Sequence, residues 1–225
     1  MDGILVVDKP KGHTSHDIVD LIRKRFRIKK VGHAGTLDPQ ASGVLVVLLG
    51  RLTKKSQDLT QDDKEYLGCL RLGVATDSLD SQGKIVKEEK PGQITLQQIE
   101  DVFGQFLGTI EQIPPMFSAL KYKGQRLYHL ARKGIEVKRQ PRQVRIRKLQ
   151  ITKFTPPDIH FTVKCSKGTY VRSLCSDIAA RLGCVGHLSE LRRVASGRFT
   201  IDQAVRLDQL QGCSTEQFEE KIIRE

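Results

Sequence analysis

The longest uninterrupted apolar run in the chain is residues 44–49, six side chains bracketed by Gly43 and Gly50. Such a run suits a strand buried on both faces, and it is far short of the roughly 20 residues a membrane span needs. A second short apolar stretch, residues 4–7, runs into the turn Asp8-Lys9-Pro10-Lys11-Gly12. Elsewhere the period becomes helical. Val171, Leu174, Cys175, Ile178, Ala179 and Leu182 fall at i, i+3, i+4, i+7, i+8 and i+11, with Gly183 as the stop. Leu96, Ile99, Val102, Phe103 and Phe106 share one face of a helix expected over 96–107, and Thr14 and Ser15 are N-cap candidates for another reaching Phe26. Further strands are expected at 66–72, 144–154 and 159–165, a helix at 127–133 and a loop over 32–43. Strands interleaved with helices, and no Pro/Gly/Ser linker, point to one mixed α+β domain around an extended sheet.

Five cysteines, an odd number with no Cys-x-x-Cys pair, argue against a disulfide framework and against a zinc site. The N-terminus lacks the charged and apolar segments of a signal peptide, so the expected location is cytoplasmic.

Charge narrows the partner. Lys and Arg exceed Asp and Glu by 38 to 26, a net +12, and the excess is concentrated. Residues 121–153 hold twelve basic side chains against the single acid Glu136; Arg23, Lys24, Arg25, Arg27, Lys29 and Lys30 form a second cluster. One-sign patches repel themselves unless a polyanion covers them, which favours nucleic acid over a merely solvated basic face. Tyr122 and Tyr128 lie inside the larger patch, where they suit base stacking or an ordinary half-buried position.

Two segments invite chemistry. Residues 32–43 contain three glycines and Asp38-Pro39; the proline restricts the backbone before it and so the direction of the Asp38 side chain, although a plain turn has the same composition. In Lys167-Gly168-Thr169-Tyr170-Val171-Arg172, Gly168 and Thr169 read as a turn and an N-cap, which puts Arg172 in the first helical turn. A cation there opposes the helix dipole, so either an anion (a phosphate, or a carboxylate such as Asp38) holds it or it faces solvent.

Taken in order, the segments resemble the TruB family of pseudouridine synthases. Residues 3–15 resemble its opening motif and 31–45 its catalytic loop; Lys64-Glu65-Tyr66, Gly73-Val74-Ala75-Thr76-Asp77-Ser78, 112–121, 167–174 and His187-Leu188-Ser189-Glu190-Leu191-Arg192-Arg193 match further motifs. The resemblance implies a mixed, mainly antiparallel sheet flanked by helices, and an isomerase that turns uridine 55 of the tRNA T-loop into pseudouridine. It implies Asp38 as the catalytic aspartate, Tyr66 stacked on the target uracil, and Arg172 paired with Asp38. Tyr170 and Leu191 would line the pocket, His33 would help extrude the base, and Lys9 and Pro10 would support the floor. No cofactor or metal is implied, and the expected partner of a monomeric enzyme is the T-arm stem-loop, with no membrane. Relatives commonly continue into a PUA domain; here the expectation is a catalytic domain over 1–210 and an acidic tail over 211–225 without one. A non-catalytic RNA-binding or tRNA-folding protein and a guide-dependent synthase subunit are the alternatives.

Overall fold

The computed structural model describes residues 1–224. The chain begins β1 (Gly3–Lys9), α1 (Ser15–Arg25), β2 (Val31–Ala34), β3 (Ser42–Leu49), α2 (Ser56–Thr60) and β4 (Lys64–Leu72). It continues β5 (Val74–Thr76), β6 (Ile85–Glu88), α3 (Leu96–Gln105), β7 (Gly108–Gln112), β8 (Lys121–Tyr122), β9 (Gln125–Arg126) and α4 (Leu127–Arg132). It ends β10 (Arg142–Thr155), β11 (Asp158–Cys165), α5 (Val171–Arg181), β12 (Gly186–Ser196), β13 (Phe199–Thr200), β14 (Val205–Arg206), α6 (Leu207–Gly212) and α7 (Thr215–Glu220). The fold is mixed, with mostly antiparallel strands and helices packed beside them, as expected. Among the described residues no helix is long and apolar enough to cross a membrane.

Two compact units divide the chain: unit 1 is residues 1–67 plus the segment from Leu191 onward, and unit 2 is residues 68–190. In unit 1 the apolar β3 is central. It pairs antiparallel with β1 from Gly3↔Leu49 to Lys9↔Gly43, and with β2 from Val31↔Leu49 to Ala34↔Val46. Its alternate residues serve two cores, as the period of two along a strand requires. Leu45, Val47 and Leu49 pack with Ile18, Val19 and Ile22 of α1, while Val44, Val46 and Leu48 pack with Ile4, Val6, Ala34 and Phe199. Thr14 caps α1, its hydroxyl accepting from the Asp17 amide while the Asp17 carboxylate accepts from the Thr14 amide.

The acidic C-terminal stretch is built into this unit. Phe218 of α7 is fully buried and stacks on Phe26 with ring centroids 3.7 Å apart, and Ile223 and Ile4 exchange backbone hydrogen bonds of 2.8 and 2.9 Å.

In unit 2 the long β10 lies antiparallel to both β11 and β7. Val144, Ile146 and Leu149 point inward, and a register shift after Ile146 leaves Arg147 and Lys148 both exposed, together with Arg145 and Lys153. Against β11, Phe103 of α3 meets Phe161 edge-on at 6.1 Å. Gly68 is required there: a Cβ would lie 2.4 Å from the Phe161 ring.

Three readings change. Of the expected loop 32–43, residues 32–34 are strand because β3 offers them an edge to pair with, and residues 42 and 43 already belong to β3. The N-cap of α5 is Tyr170 rather than Thr169, whose hydroxyl donates to the Ser166 carbonyl instead. The eleven-residue β12 was not anticipated from its periodicity.

Candidate active site

Asp38 sits half-buried at the crest of the loop between β2 and β3, and its neighbours on either side are tied down. The Ser15 hydroxyl accepts from the Leu37 amide at 2.9 Å and lies 3.2 Å from the Leu37 carbonyl, to which it can donate. The Pro39 carbonyl accepts from the Gly12 amide at 2.8 Å and from Lys9 Nζ at 3.3 Å. Inside the loop, the Ala41 amide donates to the Asp38 carbonyl at 3.0 Å, closing a turn. The end of β1 and the start of α1 thus clamp a carboxylate-bearing loop.

Lys9 joins this clamp. Its residue is fully buried, and Nζ donates to three carbonyls, those of His13 (2.7 Å), Pro10 (2.9 Å) and Pro39. Burial pulls its pKa down to about 8, opposed by the charge of Asp38 and helped by that of Arg193. His33, on β2, is also held below the ordinary histidine range, first by burial and then by the charges of Arg193 and His16. A neutral imidazole follows at physiological pH.

Arg193 of β12 is the largest fully buried side chain of the protein. Its Nε donates to the Val44 carbonyl at 2.7 Å and NH2 to the Gly35 carbonyl at 3.1 Å; burial lowers its pKa, while the Tyr66 phenol, through charge and a side-chain hydrogen bond, acts the other way. Next to it, Arg192 forms a two-pronged pair with Asp8 at 2.8 and 3.1 Å and reaches Ser42 Oγ at 3.3 Å. Unit 1 therefore gathers Lys9, Pro10, His33, Asp38, Tyr66 and Leu191, the last half-buried on β12.

Tyr170 and Arg172 belong to unit 2. The Gln112 side chain brackets Tyr170, accepting from its amide at 2.7 Å and donating to its carbonyl at 3.0 Å, so β7 docks the start of α5. Arg172 is buried, donating to the Ser78 and Phe117 carbonyls at 2.9 Å each, with Nε 3.6 Å from the Asp80 carboxylate. Asp80 is thus one anion near this cation, within its own unit. Sequence reasoning did not single out Ser15, Gln112 or Arg193; a serine in a first helical turn and an arginine inside a strand carry no signal of a partner many residues away.

Around the basic patch, Arg142 lies 5.9 Å from the Tyr170 ring centre, Arg132 5.7 Å from that of Tyr128, and Lys123 5.6 Å from that of Tyr122. Cations beside aromatic faces, with ten of the twelve basic side chains of 121–153 exposed, form a surface that phosphates and bases can both use.

Comparisons with known proteins identify the family. The profile of the TruB family pseudouridylate synthase N-terminal domain matches residues 23–171, and that of the tRNA pseudouridylate synthase B C-terminal domain matches 172–225. The tRNA pseudouridine synthase B of Syntrophotalea carbinolica is 50% identical, over 99% of this chain and 73% of its own length. That of Opitutus terrae is 43% identical over 99% and 92%. Among solved structures, a Cbf5-Nop10-Gar1 complex is similar at 32% identity and TM-score 0.76, covering 98% of this chain, which spans 59% of that one. With matched profiles over residues 23–225 and half its residues shared with a relative that it covers by nearly three quarters, the chain belongs to the TruB family of pseudouridylate synthases.

Proposed function

We propose that this protein isomerises uridine 55 in the T-loop of transfer RNA to pseudouridine, with Asp38 as the catalytic carboxylate. The observation that carries the reading is the clamped loop: a half-buried aspartate whose two neighbours are fixed by Ser15, Gly12 and Lys9, in the unit that also holds a tyrosine tied to a buried arginine. The reaction is balanced within the substrate. The C1′–N1 bond breaks, the uracil turns, C1′ bonds to C5, the C5 proton leaves and N1 gains a proton. Asp38 assists either by attacking C1′ or by taking a proton so that a glycal forms. The target base lies within a folded loop and must be flipped out. Neutral His33 is suited to entering a base stack, Tyr66 to stacking on the flipped uracil, and Tyr170 and Leu191 to lining its pocket. Arg172 is assigned the steadying of the Asp38 carboxylate, and Lys9 and Pro10 the floor.

The test is pseudouridine formation by the purified chain on an unmodified tRNA or T-arm stem-loop, with chelator present. Product is expected from the wild type and none from Asp38→Asn, with RNA binding unchanged. Product from Asp38→Asn sinks the assignment; activity that needs added proteins and guide RNA points instead to a dependent synthase.

A further inference from the structure

Arg193 presents an unusual combination: a permanently charged side chain with 1% exposure, whose side-chain partners include two backbone carbonyls and a phenol. The carbonyls are those of Gly35, in the loop that carries Asp38, and of Val44, in β3 just after that loop. The phenol belongs to Tyr66 at the start of β4. The backbone of Arg193 is gripped as well. It pairs with Gly43 in the parallel β12–β3 ladder, and Gly43 has φ +103 and a position where a Cβ would lie 2.1 Å from the Arg193 carbonyl oxygen. Only glycine fits there, and it lets β12 approach the loop closely enough for the guanidinium to reach under it.

A planar guanidinium has donors in fixed directions, so fixing two of its bonds fixes where the third partner must stand. A tyrosine ring turns about only two side-chain torsions, and a tethered hydroxyl removes most of that freedom. We propose that Arg193 is a positioning residue for the isomerisation: from one buried guanidinium it sets the plane of the Tyr66 ring and the span of the loop that carries Asp38. The assignment rests on the synthase function proposed above. It makes Arg193 matter for the reacting geometry while leaving the exposed RNA-binding surface alone.

The experiment is a double-mutant cycle on a T-arm stem-loop, comparing wild type, Arg193→Lys, Tyr66→Phe and the double variant, with melting temperatures taken alongside. Arg193→Lys keeps the charge and loses the fork; its kcat is expected to fall by about tenfold or more, with KM within about threefold of wild type. Tyr66→Phe still stacks but offers no hydroxyl, so in that background the same arginine change should cost roughly fivefold less. Equal losses in both backgrounds, or a loss confined to KM, overturn the assignment while leaving the synthase function standing. If Arg193→Lys does not fold, Tyr66→Phe decides alone, because it leaves both carbonyl bonds of Arg193 in place; an unchanged kcat then overturns the assignment. A wild type that makes no pseudouridine sinks both readings together.

Discussion

A lysine with no exposed surface, donating to three carbonyls at the end of β1, is a charged group kept in place by backbone oxygens. Its pKa of about 8 in the fold lies below the 10.5 of an ordinary lysine, with burial as the first cause. The folded state therefore gives up the proton first as pH rises. Between about pH 8 and 10.5 the unfolded chain holds more protons, and stability from this group rises with pH. Urea denaturation of wild type and Lys9→Met at pH 8 and pH 10.5 should show the gap between them moving in favour of wild type at the higher pH. Movement the other way would mean the ammonium is better solvated than its burial implies. Because the charge of Asp38 raises the Lys9 pKa, Asp38→Asn should lower it further, a shift that NMR of the lysine side chain can read.

At the level of elements, the stacking of Phe26, which closes α1, on Phe218 of α7 is one of the contacts that join the first and last described segments. Phe218 is fully buried and stacked on Phe26 at 3.7 Å, so Phe218→Ala should cost about 3–5 kcal/mol, as for other buried aromatics, and lower the melting temperature markedly. A shift within experimental error would show that α7 is dispensable. Elements differ in how far the sequence reveals them. The helices α1, α3 and α5 and the strands β1 and β3 are legible because their buried faces are apolar and their periods clean. β12 is not, since His187 and Arg193 occupy buried positions where an apolar residue would have announced a strand. β2 hides for a similar reason: only Val31 and Ala34 of its four residues are buried, and its pairing depends on β3 rather than on its own pattern. The site divides in the same way. Asp38, Tyr66, Arg172 and Lys9 are named as candidates by their motifs, while the clamp in which Ser15, Lys9 and Arg193 join depends on hydrogen bonds between residues up to 158 positions apart, which no local pattern encodes.

For the molecule as a whole, net charge is the term that acts at longest range. The exposed Arg145, Lys148 and Lys153 of β10 belong to the larger basic patch, and bound RNA should release counterions there. RNA affinity is then expected to fall linearly in log–log terms with salt, and replacing these three by Gln should flatten the slope by about 0.7–0.9 per lost phosphate contact. An unchanged slope removes β10 from the RNA surface.

Unit 1 is assembled from the first and last stretches of the chain, with all of unit 2 between them in sequence. On the ribosome this imposes an order of events. Asp38 emerges early, but the arginine that spans its loop and the phenylalanine that seals α1 follow only after all of unit 2. A nascent chain halted at the end of unit 2 owns the aspartate without Arg193 to hold its loop, so the chemistry is armed only after the whole of unit 2 has been made.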